Sequence, residues 1–382
     1  MTKRNKKMFM LVGVFMCLAM LLAIAGCDSK KPANGEEGTV VKIGTVGPLT
    51  GGAANYGINV QRGVEIAVEE ANASGELGDI TLELISEDTG GDWSAAANAF
   101  TKLIEIDGVD VIVGAVLSSE TQAGGPIAME AKIPTISPSS TAKDLTKGNP
   151  YLFRNCLSDE VQAAQLAEYA VKELGLKKFA IFYTNNDYGV SLKDAFEAKA
   201  RELAEVVAVE VFMDGDESFK PQLTKIKESN PDSLYIAGYY TEAAKIAQQA
   251  KEMGLNVQLL GADGLCNVAY IDIGGEAVEG TYATSGFYPD DPTPAVQNFV
   301  TAYKNKYGEE PDMFAAQAYD AAWIVINAIK SKGPNPEQIR EGIAATKDFP
   351  GITGKTSIDE EGDTIKDVII LKVEGGKFTR VR

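Results

Sequence analysis

The chain has 382 residues, 45% of them hydrophobic, and a formal net charge of −18 with no histidine. So acidic a balance repels nucleic acid and offers none of the counterion release that binders exploit. The lack of imidazole excludes Ser-His-Asp and Cys-His catalysis and every zinc site that needs a histidine.

The amino end opens with Lys3, Arg4, Lys6 and Lys7, followed by an apolar run over 8–25 that only Gly13 interrupts. A basic end, an apolar stretch and small residues form an export signal. A run this long also suits a permanent membrane helix. The string Ile24-Ala25-Gly26-Cys27 favours the first reading, because it resembles the lipobox of bacterial lipoprotein precursors. That resemblance implies cleavage of the signal peptide 1–26 and a diacylglycerol on Cys27. Two acyl chains would anchor the protein to the cell membrane, facing outside the cytoplasm. Removing 1–26 takes away four basic side chains and no acidic one, leaving the charge at −22. The segment 27–39 is then a lipidated, polar, flexible tether. Cys17 leaves with the signal. Cys156 and Cys266 remain, as two buried thiols or as one disulfide.

The ~350 residues that follow exceed one typical core and predict two domains. From residue 40, short apolar runs alternate with amphipathic stretches. Strands are expected at 40–46, 80–86, 109–114, 134–136, 179–183, 206–212, 234–237, 258–260 and 368–373. Helices are expected at 57–71, 93–106, 161–174, 190–203, 219–228, 242–253, 294–307, 313–332 and 336–345. In 93–106, Ala96, Phe100, Leu103 and Ile104 recur at helical spacing and mark a buried face. This alternation means βαβ units and parallel sheets with helices on both faces. It restarts near residue 176, so the fold class is α/β with two doubly wound lobes.

Ligands of open α/β sheets sit beyond the carboxyl ends of the strands. Those ends here carry hydroxyls, tyrosines, acids and glycines: Gly47–Thr50, Asp88-Thr89-Gly90, Leu117-Ser118-Ser119, Ser137–Thr141, Asn185–Tyr188, Gly238-Tyr239-Tyr240 and Asp263-Gly264. Ser118 or Ser119, and Thr141, are expected at helix amino ends, where free amides and the helix dipole favour a carboxylate. Ordinary N-capping is the plainer use of any one of them.

At these loops the chain resembles the extracytoplasmic solute-binding proteins for branched-chain amino acids, the leucine/isoleucine/valine-binding family of ABC transporters, over residues 40–375. The likeness is carried by Ile43–Gly51, Tyr56-Gly57, Gly63, Gly114–Gln122, Ser137-Pro138-x-x-Thr141, Tyr188-Gly189, Gly238-Tyr239-Tyr240, Asp263-Gly264 and Phe314–Ala321. The resemblance implies a type I periplasmic binding protein fold, with two lobes joined by three crossing segments near 151–159, Phe287 and Ile365. It implies lobe I from 40–157 and 287–365, and lobe II from 158–286 and 366–382. It implies no enzyme activity, no metal and no cofactor. A small amino acid or related amide would be the ligand, and ABC permease subunits the partners.

The same resemblance implies roles for nine residues, with Ser140 beside them as a tenth ligand-binding candidate. Ser118 and Thr141 would hold the ligand carboxylate, and the Ser139 carbonyl and Asp263 the ammonium. Tyr188 and Tyr239 would close from the second lobe, and Tyr56, Leu117 and Phe314 would line the side-chain pocket. Well-known members have Glu where this chain has Asp263, and small apolar residues where it has Ser139 and Ser140. Hydroxyls at those two positions favour a more polar side chain, so leucine-, alanine-, serine- and threonine-like ligands all stay open.

Two other functions compete with solute capture. A sensing subunit that presents its ligand to a membrane receptor has the same fold and site. A serine enzyme is the other, because Ser140-Thr141-Ala142-Lys143 fits S-x-x-K. That chemistry needs the serine at a helix start with the lysine one turn on.

Overall fold

The computed structural model describes residues 38–382. The signal peptide, Cys27 and all but the end of the tether lie outside the described residues. Among the described residues no helix is long and apolar enough to cross a membrane.

The first lobe is built on five parallel strands: β1 (Thr39–Gly47), β2 (Ile80–Asp88), β3 (Val111–Gly114), β4 (Thr135–Ser137) and β5 (Leu152–Arg154), in the order β2-β1-β3-β4-β5. Helices α1 (Ala54–Ser74), α2 (Trp93–Lys102) and α3 (Ser118–Ala131) make the crossovers. Val111, Ile112 and Val113 are fully buried, as a strand covered by helices on both faces requires. The sheet register sets Gly47 level with Asp88, and Val46 level with Gly114. The loops that follow these three strands therefore emerge side by side.

After α4 (Asp159–Lys172) the chain builds a second sheet from β6 (Lys178–Thr184), β7 (Glu205–Phe212), β8 (Ser233–Ala237), β9 (Gln258–Gly261) and β10 (Tyr282–Ser285). Its helices are α5 (Asp187–Leu203), α6 (Lys220–Glu228), α7 (Tyr240–Glu252) and α8 (Val268–Gly274). The chain then returns to the first lobe with α9 (Pro294–Tyr307), α10 (Met313–Lys332) and α11 (Pro336–Ala344). A small antiparallel sheet follows, made of β11 (Phe349–Gly351), β12 (Gly354–Ile358) and β13 (Thr364–Ile365). Two last strands, β14 (Ile369–Val373) and β15 (Phe378–Arg380), complete the second sheet in the order β15-β14-β10-β9-β8-β6-β7. The β10–β14 and β14–β15 pairs are antiparallel and the others parallel.

Two α/β lobes joined by three crossings are thus what the alternation and the resemblance imply. The first and third crossings lie against each other. The buried Arg154 guanidinium donates through Nε to Asp363 at 2.6 Å, and Lys366 Nζ donates to the Asn155 carbonyl at 3.2 Å. Asn155 Nδ2 also donates to the Gln317 carbonyl at 2.9 Å, which ties the strap to α10.

Several elements depart from the sequence reading. β5 and β10 were not expected, because Leu152-Phe153-Arg154 and Tyr282-Ala283-Thr284-Ser285 mix polar residues into three- and four-residue pieces that form no apolar run. Helix α3 contains Gly124-Gly125-Pro126, which argues against a helix locally. Gly124 is needed there, because a Cβ would stand 2.1 Å from the Phe100 ring. Thr141 was expected at a helix amino end. Instead 140–150 runs through turns, with Asp144 and Gly148 at positive φ, and the next helix waits until Ser158 caps α4 at Val161 N.

Helix α1 packs along α10 so closely that a Cβ on Gly63 would stand 2.1 Å from the Ala315 carbonyl oxygen. This contact seats Tyr56 of α1 on Phe314 of α10, with ring centroids 4.2 Å apart. Gly63→Ala should therefore lower unfolding free energy by about 2 kcal/mol through overpacking. Urea denaturation checks this, and an unchanged midpoint would mean the two helices part at no cost.

Candidate functional site

The strand-end loops of the two sheets face one another and touch. Thr241 Oγ1 donates to the Gly52 carbonyl at 2.8 Å, and the Lys143 amide donates to Ser191 Oγ at 2.9 Å. Tyr56 bridges the gap more deeply. Its hydroxyl donates to the Gly264 carbonyl and accepts the Tyr240 amide at 3.0 Å. Between these loops lies a small, nearly closed cleft with about 10 Å³ of free room. Eight of the ten expected residues line it: Tyr56, Leu117, Ser118, Ser139, Tyr188, Tyr239, Asp263 and Phe314.

Ser118 is the first residue of α3. Leu117 precedes it in extended conformation, and Glu120 Oε2 accepts the Leu117 amide at 2.9 Å. The Glu120 carboxyl, fully buried and also bonded to the Thr89 hydroxyl, is pushed up to about 7 by burial. The opening amides of α3 have no intrahelical partners, and the dipole adds partial positive charge beside the Ser118 hydroxyl. Ser118 Oγ accepts the Ala142 amide at 3.2 Å, so its own proton is free to donate.

Asp263 stands on the opposite wall in the turn after β9, only 4% exposed. Its Oδ1 accepts the Tyr188 hydroxyl at 2.7 Å and its Oδ2 accepts Gln162 Nε2 at 3.1 Å. Gln162 is held in turn by Thr284 Oγ1 at 2.7 Å. All the donors are neutral. Burial pushes the Asp263 carboxyl up to about 6, and the bonds from Tyr188 and Gln162 hold it from rising further. Gly264 has to be glycine, because a Cβ would stand 2.7 Å from both Tyr188 Oη and the Gly238 carbonyl.

Aromatic rings close the remaining sides. Tyr188 and Tyr239 stack at 5.2 Å with planes 4° apart, and Tyr56 meets Tyr239 edge-on at 5.8 Å. Burial raises all three phenols, so they stay neutral. The Tyr239 hydroxyl is buried without a hydrogen-bond partner.

Ser140 and Thr141 do not line the cleft. Ser140 Oγ pairs with Thr121 Oγ1 at 2.7 Å inside the wall. Ser139 Oγ donates to the Val116 carbonyl at 2.8 Å. These two hydroxyls therefore hold the loop together and do not make the pocket polar, contrary to expectation. Thr141 is fully buried with its hydroxyl unpartnered. Its carbonyl accepts the amide of Asp159 at 2.9 Å.

The S-x-x-K geometry does not form either. Residues 140–143 lie outside any helix, and Lys143 Nζ pairs with Glu160 at 2.8 Å. Cys156 and Cys266 are separate buried thiols, each facing a different carbonyl (Ser140 and Thr284).

Sequence reading missed Val116 and Gly264 in the lining, and Glu120, Gln162 and Asp159 behind it. Glu120 follows Leu117 by three residues, the spacing of a residue that reaches back to a helix start. Asp159 passes for an acidic first-turn residue.

Relatives carry the same architecture. A leucine-, isoleucine-, valine-, threonine- and alanine-binding protein of Pseudomonas aeruginosa is 30% identical over 90% of this chain and 91% of its own length. The crystal structure of a leucine-binding protein LivK from Thermotoga maritima superposes with a TM-score of 0.85 at 38% identity, covering 90% of this chain and 98% of that one. The branched-chain amino acid transporter substrate-binding protein LivJ of Streptococcus pneumoniae, solved in complex with isoleucine, gives 0.84 at 34%, covering 89% and 98%. Residues 40–377 match the family described as periplasmic binding protein, and this chain belongs to that family.

Proposed function

We propose that this protein captures a small neutral amino acid between its two lobes, outside the cytoplasm, and delivers it to an ABC permease. The observation that carries this reading is Asp263, a carboxylate buried among neutral donors in the cleft between the two lobes. An α-ammonium supplies the cation that such a carboxylate lacks. Ser118 and the amides of α3 receive the ligand carboxylate, and Thr141, held behind Ser118 with its hydroxyl unpartnered, turns to it as a further donor, while the Ser139 carbonyl joins Asp263 at the ammonium. Tyr188 and Tyr239 close over the backbone of the ligand. Leu117, Phe314 and Tyr56 take its side chain. Since the Ser139 and Ser140 hydroxyls bond to the wall, an apolar side chain suits this pocket.

Lobe I comprises 40–157 and 287–365, and lobe II comprises 158–286 and 366–382. The signal peptide is 1–26, and Cys27 carries the diacylglycerol that keeps the protein beside its permease. The amino-acid-binding relatives support the ligand class, and the Ile24–Cys27 string supports the anchor.

Thermal-shift screening of the twenty amino acids, followed by calorimetry, should find one site with a dissociation constant near micromolar, about −8 kcal/mol. Asp263→Ala should weaken that binding by about 3 kcal/mol, because it leaves a buried ammonium unpaired. Unchanged affinity would reduce Asp263 to a turn residue, and no thermal shift from any amino acid would remove the ligand class.

In a bacterial host, Cys27→Ser should release the protein from the membrane fraction and abolish labelling by a fatty-acid probe. A variant that still carries acyl label would remove the lipid anchor from the account.

A further inference from the structure

Behind Thr141 lies an acid that the binding scheme above leaves unused. Asp159, the first residue of α4, is fully buried, and neither oxygen of its carboxyl has a hydrogen-bond partner. The rotatable hydroxyls of Thr141 and Ser191 face it without reaching hydrogen-bond geometry. The Asp159 backbone amide is fixed on the Thr141 carbonyl, so the two residues are held together. Thr141 Oγ1 is likewise buried and unpartnered, and the next residue's amide, that of Ala142, donates to Ser118 Oγ of the cleft lining.

The charges around Asp159 decide its state. Asp263 repels it. Arg154 is the cation that faces it, but that guanidinium is already bonded to Asp363 and to the Ala142 carbonyl. Tyr188, Tyr235 and Tyr239 are phenols that burial keeps neutral. At the adjoining rim Lys143 and Glu160 neutralise each other while more than half exposed. A buried carboxylate without donors is strongly disfavoured. Asp263 has two donors in hydrogen-bond geometry, whereas Asp159 has only the Thr141 and Ser191 hydroxyls, neither of them in that geometry, so the proton of this acidic pair belongs on Asp159. Burial and the Asp263 charge push the Asp159 carboxyl up to about 7.

We propose that Asp159 acts as a protonated acid that sets the direction of the Thr141 hydroxyl, so that the protein binds its amino acid with Asp159 neutral. A neutral Asp159 donates its proton to Thr141 Oγ1, and Thr141 then turns its own proton to the ligand carboxylate. An ionised Asp159 accepts the Thr141 proton instead. The ligand carboxylate then meets oxygen lone pairs and a second buried negative charge. Asp159 is a positioning residue, acting through Thr141. This inference rests on the amino-acid reading of the cleft.

The test is calorimetry with L-leucine at pH 7 and pH 8.5, a range over which the charges of leucine hold and Asp263 is already ionised. Wild-type affinity should fall by up to about tenfold as Asp159 ionises in the free protein. At pH 8, comparing phosphate with Tris buffer, binding should take up most of one proton. Asp159→Asn, whose carboxamide donates at either pH, should lose most of that fall and of that uptake, any remainder being the share of Glu120, whose carboxyl also lies near 7. An equal pH slope in wild type and Asp159→Asn, or no proton uptake by wild type at pH 8, would overturn the proposal. The uptake measurement stands even if the variant does not fold. If L-leucine binds at neither pH while another amino acid raises the melting temperature, that amino acid replaces it in the same experiment. If none does, the amino-acid reading fails first.

Discussion

A carboxylate taken out of water needs a cation or a full set of donors, and Asp263 has only neutral donors. Tyr188 and Gln162 reach it from α5 and α4, and Gly264 beside it is fixed by bonds to Tyr188 and Tyr56. Four elements of the structure thus converge on one negative charge that no basic side chain, among the described residues, is bonded to. The desolvation cost of such a group is several kcal/mol, and Coulomb attraction offsets it only with good geometry. In the proposed binding mode a ligand ammonium would complete the arrangement, and its carboxylate would then be met by the neutral donors of Ser118 and the start of α3 from the other lobe.

That division of labour follows from topology. Parallel strands send their carboxyl ends to one edge, so each sheet offers a row of loops and helix starts on one side. Three crossings hold the two rows face to face, and the first and third are bound to each other by Arg154, Asp363 and Lys366. Neither lobe alone pairs both ends of a zwitterion, so binding favours the arrangement in which the lobes meet. Tyr56 is the side chain through which they touch at the cleft, and its seat on Phe314 depends on the close α1–α10 contact at Gly63.

The sheets and most helices were legible because long apolar runs alternate with amphipathic stretches. The cleft was largely legible because Tyr188, Tyr239, Asp263 and Ser118 all sit where strands end. Short buried pieces were not. Tyr282–Ser285 carries Thr284 and Ser285, whose hydroxyls find partners in Gln162 and the Phe287 carbonyl only after folding. Hydroxyl direction was equally hidden. The Ser139 and Ser140 hydroxyls were expected to favour a more polar ligand side chain, but the Val116 carbonyl and Thr121, some twenty residues away, take their bonds. Asp159 follows a capping serine and reads as a helix start, so its burial behind Thr141 could not be seen from local pattern.

The pairing of both ligand charges is open to a direct comparison of three molecules in one calorimeter cell: L-leucine, 4-methylpentanoate, which lacks the ammonium, and 3-methylbutylamine, which lacks the carboxylate. The account predicts saturable binding of leucine and a loss of about a hundredfold or more for each analogue, since each leaves one buried partner uncompensated. Binding of 4-methylpentanoate as tight as that of leucine would contradict it, because Asp263 would then be holding no ammonium.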